Sequence, residues 1–391
     1  MNPWSRRRFL ARSSVASLGV AALPFWGCAL RRPGVLDVPI DGYPTLEVSG
    51  SHGEIGRVIG TTMRERILGH LEVSPAFRNG VAFVEGAGRR TIERMLAHSR
   101  SAFPHLVEEI EGMADGLEIP FLHLFAHQCR SEIEGLRDPP GCSTIAIRHG
   151  QTAILAHNED GSDLDVGRMF LARVTPPSGV TFLALVYPGL IPGNGPGLNR
   201  HGIVETTNFI QPHEVADGIP RYLIGRAILE ARTLDEAVRL ATTGPRAFPW
   251  HHNLLSLEEG RILSIETVAW PEPRADVLEI EGLQIHTNHL LHPALVGDTV
   301  GKRPYDVPYV SSTTRLDVLT RAVAKWGPPS NVAGVLDLLS LHEGRPYSPC
   351  RHPRGRVRGA TLATAIFQAP EKRMVLFHGN PCLGNRKEHR V

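Results

Sequence analysis

The chain has 391 residues, of which 42% are apolar and 21% are charged, so it has ample material for a large hydrophobic core. Its net charge of +2 gives no electrostatic reason to expect nucleic acid or anionic partners. The length allows two or three domains, or one large α/β domain with additions.

The first 32 residues are organised like an export signal. Three consecutive arginines at positions 6–8 precede an apolar, small-residue segment from Val15 to Trp26. A segment this short is typical of a removable signal rather than of a spanning helix. The paired arginines indicate the twin-arginine route, which carries folded proteins across a bacterial inner membrane. We therefore expect a periplasmic or extracellular protein; the alternative is a chance basic patch before a buried helix.

The sequence contains five cysteines: Cys28, Cys129, Cys142, Cys350 and Cys382. Cys28 follows a glycine and could accept a lipid anchor, although the preceding Phe25 and Trp26 suit such a site poorly. Export permits disulfides, but no dense cysteine framework or CxxC spacing requires them. A free thiol can therefore be available for chemistry.

Apolar spacing predicts that residues 33–141 are mostly helical after a short extended segment at 36–48. Predicted helices cover 53–71, 78–103 and 104–117. A further helix starts near Pro120, which suits a first helical position, and ends near Leu136.

The character of the chain changes after Cys142. Helix pairs are predicted at 221–231 with 234–241 and at 311–326 with 331–339. Runs of strands with helix pairs between them predict an α/β (α+β) fold with antiparallel sheets. No linker interrupts residues 142–391, which we treat as one domain. Alternation and turn signals predict strands at 143–148, 152–156, 169–174, 181–186, 203–207, 253–256, 261–267, 275–280, 361–368 and 373–377.

Cys142 stands at an unusual place, directly after a Pro-Pro-Gly turn and at the start of a predicted strand. Gly141 has no Cβ, so its carbonyl can be approached closely by the thiol that follows. We hypothesise that the Gly141–Cys142 bond is cut and that Cys142 then acts as an N-terminal nucleophile. The alternative is a small buried cysteine at a strand edge.

An α-amino group gives this cleavage a chemical purpose. Its ordinary pKa of about 7.7–8.0 lies close to the value of about 8.5 for a free thiol, so the amine can accept the thiol proton. The amide of an uncut chain cannot. A nucleophile paired with its own terminal amine is a known catalytic arrangement.

Asp160 lies at the end of the next predicted hairpin strand, in His157-Asn158-Glu159-Asp160-Gly161. Antiparallel pairing brings this position back beside the strand that starts at Cys142. The Asp160 carboxylate could therefore hold the new α-ammonium group. Alternatively, Asp-Gly is a common hairpin turn.

With these motifs in this order, the chain resembles the N-terminal-nucleophile hydrolases, and most closely their C45 peptidase branch, which contains penicillin acyl-coenzyme A:6-aminopenicillanate acyltransferase. Bile salt hydrolases are more distant relatives. The resemblance covers most of the chain from about Leu46. The matching pieces are Gly141–Thr144, Asn158–Asp160, Gly197–Ile203, Thr207–Phe209, His286–His289, Ser311–Arg315, Cys350–Pro353 and Thr361–Ala363.

The resemblance implies a four-layer αββα sandwich and autocatalytic cutting into an α and a β chain that stay associated. It implies that Asp160 orients the α-amine and that Asn288 binds the developing oxyanion or fixes the amine. Asn208 matches a second oxyanion position. Arg351 is implied as the cation beside the thiol, with Arg315 as its competitor and Asn158 as a further site position.

Three departures from the family pattern leave the substrate open. Glu159 and Gly161 stand where aromatics are usual, and His157 stands where Gln or Arg is frequent.

Each implied role also has a structural alternative. Asn208 and Asn288 could close strand ends, and Arg351 could belong to a structural ion pair. His286, His289 and His292 have spacing that resembles a metal site, but no carboxylate-rich motif accompanies them. We therefore interpret them as structural and expect no metal and no cofactor.

Together the patterns predict an exported cysteine amidohydrolase that acts on small N-acyl compounds, such as acyl amino acids, lactam side chains or acyl signals. An acyltransferase using the same residues is the first alternative. Export argues against it, because acyl-coenzyme A is a cytoplasmic donor. The second alternative is an inactive binding protein on the same fold.

Overall fold

Two β-sheets lie at the centre of this computed structural model, which describes residues 42–134, 141–150, 152–296, 305–307 and 309–391. These residues fall in one compact unit, Gly34–Val391. The predicted export signal, Cys28 and the start of the predicted segment 36–48 lie outside the described residues.

The strands and helices of the described residues are numbered in chain order. The strands are β1 Thr45–Ser49, β2 Ser143–His149, β3 Thr152–Ser162, β4 Phe170–Thr175, β5 Phe182–Val186, β6 Gly197–Asn199, β7 Ile203–Phe209, β8 Trp250–Ser256, β9 Arg261–Val268, β10 Arg274–Glu279, β11 Gly282–His286, β12 Gly359–Gln368, β13 Glu371–His378 and β14 Arg386–Arg390. The helices are α1 His52–Thr62, α2 Arg64–Val73, α3 Pro75–Glu85, α4 Arg89–Ala102, α5 Pro104–Leu117, α6 Phe121–Gln128, α7 Arg130–Glu134, α8 Arg221–Ile228, α9 Leu234–Ala241, α10 Pro293–Val296, α11 Val310–Trp326 and α12 Val332–Leu339.

One sheet has eight strands in the order β1-β4-β5-β6-β7-β8-β9-β10, and the other has six in the order β11-β2-β3-β12-β13-β14. Among the described residues, adjacent strands of both sheets pair antiparallel, except for β1 and β4, which pair parallel. β1 belongs to the mostly helical segment before Cys142, and β4 belongs to the part after it. Their pairing therefore joins the two parts of the chain in one sheet.

Alternation along single strands creates the layers. In β4, Phe170 and Ala172 pack towards helices α1–α6, α8 and α9, whereas Leu171 packs between the sheets. In β2, Ile145 packs against α11 and α12, whereas Ala146 faces the space between the sheets. Each sheet therefore has helices on its outer face, and the predicted four-layer αββα architecture is confirmed.

Glycines allow α1 to pack closely on α5. A Cβ atom on Gly56 would collide with the Glu109 carbonyl, and one on Gly112 would collide with the Gly53 carbonyl. Ser51 starts α1 with a capping box, in which its backbone N–H donates to the Glu54 carboxylate over 2.8 Å.

The predicted helices 53–71 and 78–103 are each two helices. The first is divided at Met63, and the second at Gly86 and Gly88, where backbone freedom favours a break. Three strands, β6, β11 and β14, lack a matching prediction. Within the described ranges, no helix is both long and apolar enough to cross a membrane.

Candidate active site

Cys142 directly precedes β2 and lines a cavity of about 240 Å³. Its side chain is 6% exposed. The cavity wall combines aromatic side chains with carboxylates and guanidinium groups, including Tyr187, Trp250, Glu159, Asp160, Arg130 and Arg221.

Strand register brings Glu159 to the thiol. Ser143 pairs with Asn158 in the β2–β3 hairpin, so extending the register by one residue sets Cys142 opposite Glu159. The Cys142 Sγ lies 3.9 Å from Glu159 Oε1. The same oxygen accepts a 2.6 Å hydrogen bond from Tyr187, and Oε2 lies 3.2 Å from His157 Nε2. Sequence reasoning noted Glu159 only as a departure from the family pattern; the hairpin register was the signal that could have identified it.

Asp160 lies inside β3, so the alternative that Asp160-Gly161 forms a hairpin turn is wrong. Its Oδ1 accepts a 2.7 Å hydrogen bond from Thr361 Oγ1, where a bulge in β12 shifts the register. Its Oδ2 is buried and has no hydrogen-bond partner among the described residues. Burial raises the pKa of Asp160 to about 7, although the charges of Arg351 and Arg315 oppose that rise.

The two arginines predicted as competing cations lie in different environments. Arg315 Nη1 donates to the Cys142 carbonyl and, over 3.0 Å, to Ser143 Oγ. Arg351 is instead the strongest cationic influence on Asp160, and its Nε and Nη1 have no partner within the described ranges. Of the two predicted cations, Arg315 therefore contacts the Cys142 backbone and lowers the pKa of its thiol, whereas Arg351 acts on Asp160.

Gly141 is needed for space. A Cβ atom here would collide with Arg315 Nη2 and Asn288 Oδ1, and would lie 3.0 Å from the Tyr309 hydroxyl. The residue before Cys142 is therefore enclosed by polar side chains.

The predicted asparagines lie in different environments. Asn288 Oδ1 accepts from Arg315 Nη2 over 2.6 Å, and its Nδ2 donates to the Phe209 carbonyl over 2.9 Å. Asn158 donates to the carbonyls of Leu339 and Pro349, each over 2.9 Å, and accepts from Thr364. Asn158 therefore positions the chain between α12 and β12 rather than facing the thiol.

Asn208 is a junction of buried polar groups. Its Oδ1 accepts from Thr144, Asn253 and His251, in each case over 2.9 Å, whereas its buried Nδ2 has no partner in the described part of the chain. The neighbouring Thr207 lines the cavity. The amide oxygen of Asn208 is thus linked to the start of β2 through Thr144, while its amide donor has no partner among the described residues.

The Cys142 thiol is protonated in this environment. Burial, followed by the charges of Glu159 and Asp160, raises its pKa well above the usual range, while Arg315 has the opposite effect. A base is therefore needed to form the thiolate of Cys142 at neutral pH.

The three histidines near β11 do not converge. His286 Nε2 lies 2.8 Å from Glu266, His289 Nδ1 lies 2.7 Å from Ser312, and His292 Nε2 lies 2.8 Å from Ser264. These separate hydrogen bonds support their interpretation as structural residues.

Arg221 also lines the cavity, and its guanidinium carbon lies 3.4 Å from the centre of the Trp250 indole. Arg221 Nη2 donates to the Tyr222 hydroxyl over 2.8 Å, but Nε and Nη1 are buried without a partner among the described residues. Sequence reasoning missed this residue, because nothing in its local pattern marks it.

Known proteins match most of this chain. Over 370 residues it is 30% identical to the β-alanyl-dopamine/carcinine hydrolase of Drosophila melanogaster, covering 86% of this chain and 93% of that protein. Two solved structures are also similar. The Caenorhabditis elegans N-acylethanolamine-hydrolyzing acid amidase ortholog has a TM-score of 0.38 and 15% identity, over 58% of this chain and 92% of that one. The R18L variant of conjugated bile acid hydrolase from Clostridium perfringens has a TM-score of 0.35 and 12% identity, over 61% of this chain and 89% of that one.

Residues 147–382 match the family described as acyl-coenzyme A:6-aminopenicillanic acid acyl-transferase. That match and the curated relative confirm the resemblance inferred from the motifs. The chain belongs to this family of N-terminal-nucleophile hydrolases and acyltransferases acting on amides.

Proposed function

We propose that this protein is an exported amidohydrolase that cuts its own Gly141–Cys142 bond and then hydrolyses small N-acyl compounds through Cys142. The observation that carries the proposal is the arrangement around the thiol. Cys142 faces Glu159 and Asp160 at the end of a cavity, and Arg315 binds its carbonyl.

In the cleavage step, the Cys142 sulfur attacks the Gly141 carbonyl carbon. A carbon–sulfur bond forms, the carbon–nitrogen bond breaks, and the thiol proton passes to the departing nitrogen. Water then hydrolyses the thioester, which leaves a carboxylate on Gly141 and a free thiol and amine on Cys142. The close approach of Arg315 and Asn288 to Gly141 supports this step, since both can steady its peptide group.

In turnover, the new α-amine accepts the thiol proton while the sulfur attacks the substrate carbonyl. The substrate amine leaves with a proton, and water hydrolyses the resulting thioester. The unpaired Asp160 Oδ2 supports a role in binding the α-ammonium group, because a buried carboxylate oxygen without a partner is costly.

Mass analysis of the purified chain tests the activation. We expect wild-type protein to separate under denaturing conditions into two chains divided at Gly141–Cys142, and Cys142→Ala to remain one chain. Cys142→Ser keeps a hydroxyl nucleophile and should be cut more slowly. A folded wild-type chain that stays uncut would contradict the proposal and favour the inactive binding protein.

Arg221 supports a substrate that carries a carboxylate. A guanidinium stacked on an indole keeps its edge available for paired hydrogen bonds to carboxylate oxygens. Among the N-acyl compounds considered, this favours acyl amino acids. A β-alanyl amine, by analogy with the Drosophila relative, is the comparison substrate.

Paired substrates test this preference. An N-acyl amino acid should have a higher kcat/KM than its uncharged carboxamide, and Arg221→Met should remove about 10–100-fold of that difference, the usual worth of a charged hydrogen bond. Arg221→Lys is the matched control, because it keeps the charge without the planar fork. Equal rates on both substrates in wild type would exclude this role.

An acyltransferase would form the same acyl-enzyme, and the family description supports it as the second candidate. Product analysis with an added amine separates the two, since a transferase yields the new amide in preference to the free acid. Export is tested by fractionation, where replacing Arg6 and Arg7 with Lys should keep the precursor in the cytoplasm.

A further inference from the structure

A second group of reactive side chains lies apart from the cavity. His342, Cys350 and His352 are on the chain between α12 and β12, and Cys382 is in the turn that follows β13. One donor atom from each of the four residues lies within 4.8 Å of the other three.

The separations have the size of a tetrahedral coordination shell. Zinc bonds of about 2.3 Å to sulfur and about 2.0–2.1 Å to nitrogen give edges of about 3.8 Å between sulfurs, about 3.6 Å between sulfur and nitrogen and about 3.3 Å between nitrogens. The two sulfurs here lie 3.6 Å apart. His352 Nε2 lies 3.6 Å from Cys350 Sγ, 3.5 Å from Cys382 Sγ and 3.1 Å from His342 Nε2.

Hydrogen bonding alone does not account for this convergence. A ring nitrogen offers either one proton or one lone pair, so it can make one good hydrogen bond. His352 Nε2 nevertheless faces three atoms, which are two sulfurs and the His342 ring nitrogen. The sulfurs are also too far apart for a disulfide, whose bond is about 2.0 Å. A single cation at the centre would satisfy all four atoms.

We propose that His342, Cys350, His352 and Cys382 form a zinc site with two sulfur and two nitrogen ligands. A tetrahedral set of two thiolates and two imidazoles selects zinc, and four protein ligands leave no open position for chemistry. Asn380 completes the surroundings, since its Nδ2 donates to Cys350 Sγ over 3.3 Å. Cys382 is exposed, which gives the ion a path of entry.

The site is structural, and it supports the active site through Arg351, which lies between two of its ligands. The Arg351 carbonyl accepts a hydrogen bond from Asn380 Nδ2 over 2.6 Å. The backbone N–H of Arg351 donates to Thr361 Oγ1 over 2.9 Å. Thr361 in turn donates to Asp160. Zinc would thus fasten the segment that aligns Arg351 and Asp160 to the turn after β13.

This inference departs from the expectation of no metal, which rested on His286, His289 and His292. The four ligands have no familiar spacing, because Cys382 lies far along the chain and approaches the others only after β12 and β13 have paired.

Metal analysis of purified protein from zinc-supplemented culture tests the site. We expect about one zinc per chain in wild type and in Cys142→Ala, which makes the result independent of the proposed nucleophile. Zinc should fall at least tenfold in Cys382→Ser and His342→Gln, and should be unchanged in the control His149→Gln. Cobalt exchanged into wild type should show a sulfur-to-cobalt charge-transfer band, which tests the ligands even where a variant fails to fold.

Three results would overturn the site. One is folded wild type with less than a tenth of a zinc per chain and no cobalt band. Another is zinc that persists in both ligand variants. The third is a Cys350–Cys382 disulfide found by peptide mass mapping under non-reducing conditions.

Discussion

The Cys142 region and the Cys350–Cys382 region both contain buried sulfur, but their surroundings differ in kind. Cys142 is a single thiol facing two carboxylates, with Arg315 on its own carbonyl. Cys350 and Cys382 face each other and two imidazoles. Carboxylates raise the pKa of a thiol and keep it protonated until a base acts, whereas converging neutral donors suit a cation.

The difference shows that the neighbours of a cysteine, rather than its burial, indicate its chemistry. Both Cys142 and Cys350 are buried, at 6% and 0% exposure. Cys142 lines a cavity whose lining residues carry unpaired polar atoms, including Asp160 Oδ2 and Arg221 Nε and Nη1, whereas the Cys350 sulfur lies beside Cys382 and His352.

Arg315→Met should produce the largest effect. It removes the cation on the Cys142 carbonyl and leaves Asn288 Oδ1 without its donor. Arg315 Nη2 also lies beside Gly141, whose carbonyl is attacked in the cleavage step. We expect self-cleavage to slow at least about 100-fold, the usual cost of losing one charge-stabilising donor near a reacting carbonyl. The rate is read from the fraction of cut chain over time by mass analysis.

Arg351→Met is the matched comparison, since it removes a similar side chain beside Asp160. We expect a smaller loss from it, and Arg315→Lys should recover part of the rate. If Arg351→Met slowed self-cleavage more than Arg315→Met, with both variants folded by circular dichroism, Arg351 would be the more important cation, as the sequence predicted.

The contrast between the arginines shows which positions a local pattern can bring together and which it cannot. Gly141, Cys142 and Asp160 follow from a turn, a strand start and a hairpin, all of which are local patterns. Layer architecture likewise follows from alternation, as at Phe170 and Leu171. Arg315 and Arg351 come from distant segments, so their order depends on how α11 and the chain before β12 pack, which no local pattern contains. Glu159 is an intermediate case. Its place beside Cys142 follows from the local β2–β3 hairpin, but only once the register of the two strands is known.

The next largest effect should be the pH dependence of stability that Asp160 causes. Because the pKa of Asp160 is raised from 3.8 to about 7, the folded chain binds more protons than the unfolded chain between those values. The free energy of unfolding should therefore fall as the pH rises from about 4 to about 7, by on the order of 4 kcal/mol if this group acts alone. Denaturant titrations of Cys142→Ala across that range measure the fall.

Asp160→Asn in the same background should flatten this pH dependence, because it removes the titrating proton and keeps an acceptor for Thr361. The exposed Asp317→Asn on α11 is the control and should leave the slope unchanged. An unchanged slope in Asp160→Asn would mean that Asp160 stays ionised, as an ion-paired carboxylate does.

Glu159→Gln should change the thiol itself. After burial, the charge of Glu159 is the next cause of the raised Cys142 pKa, so its removal should lower that pKa. The alkylation rate of Cys142 by iodoacetamide, followed by peptide mass mapping, should then reach half its maximum at a lower pH. Glu258→Gln is an exposed control, and a shift towards higher pH in Glu159→Gln would show that Glu159 acts as a base for the thiol instead.

Asn380→Ala should have the smallest effect on catalysis, and it tests whether the two sulfur regions are coupled. Asn380 Nδ2 contacts both Cys350 Sγ and the Arg351 carbonyl, so its loss should weaken zinc binding about 10–100-fold while lowering kcat/KM only several-fold. The exposed Asn385→Ala in the neighbouring turn is the control. If saturating zinc restores the activity of Asn380→Ala, the metal aligns Arg351 through its ligands; if activity stays low with the site filled, the hydrogen bond to Arg351 acts by itself.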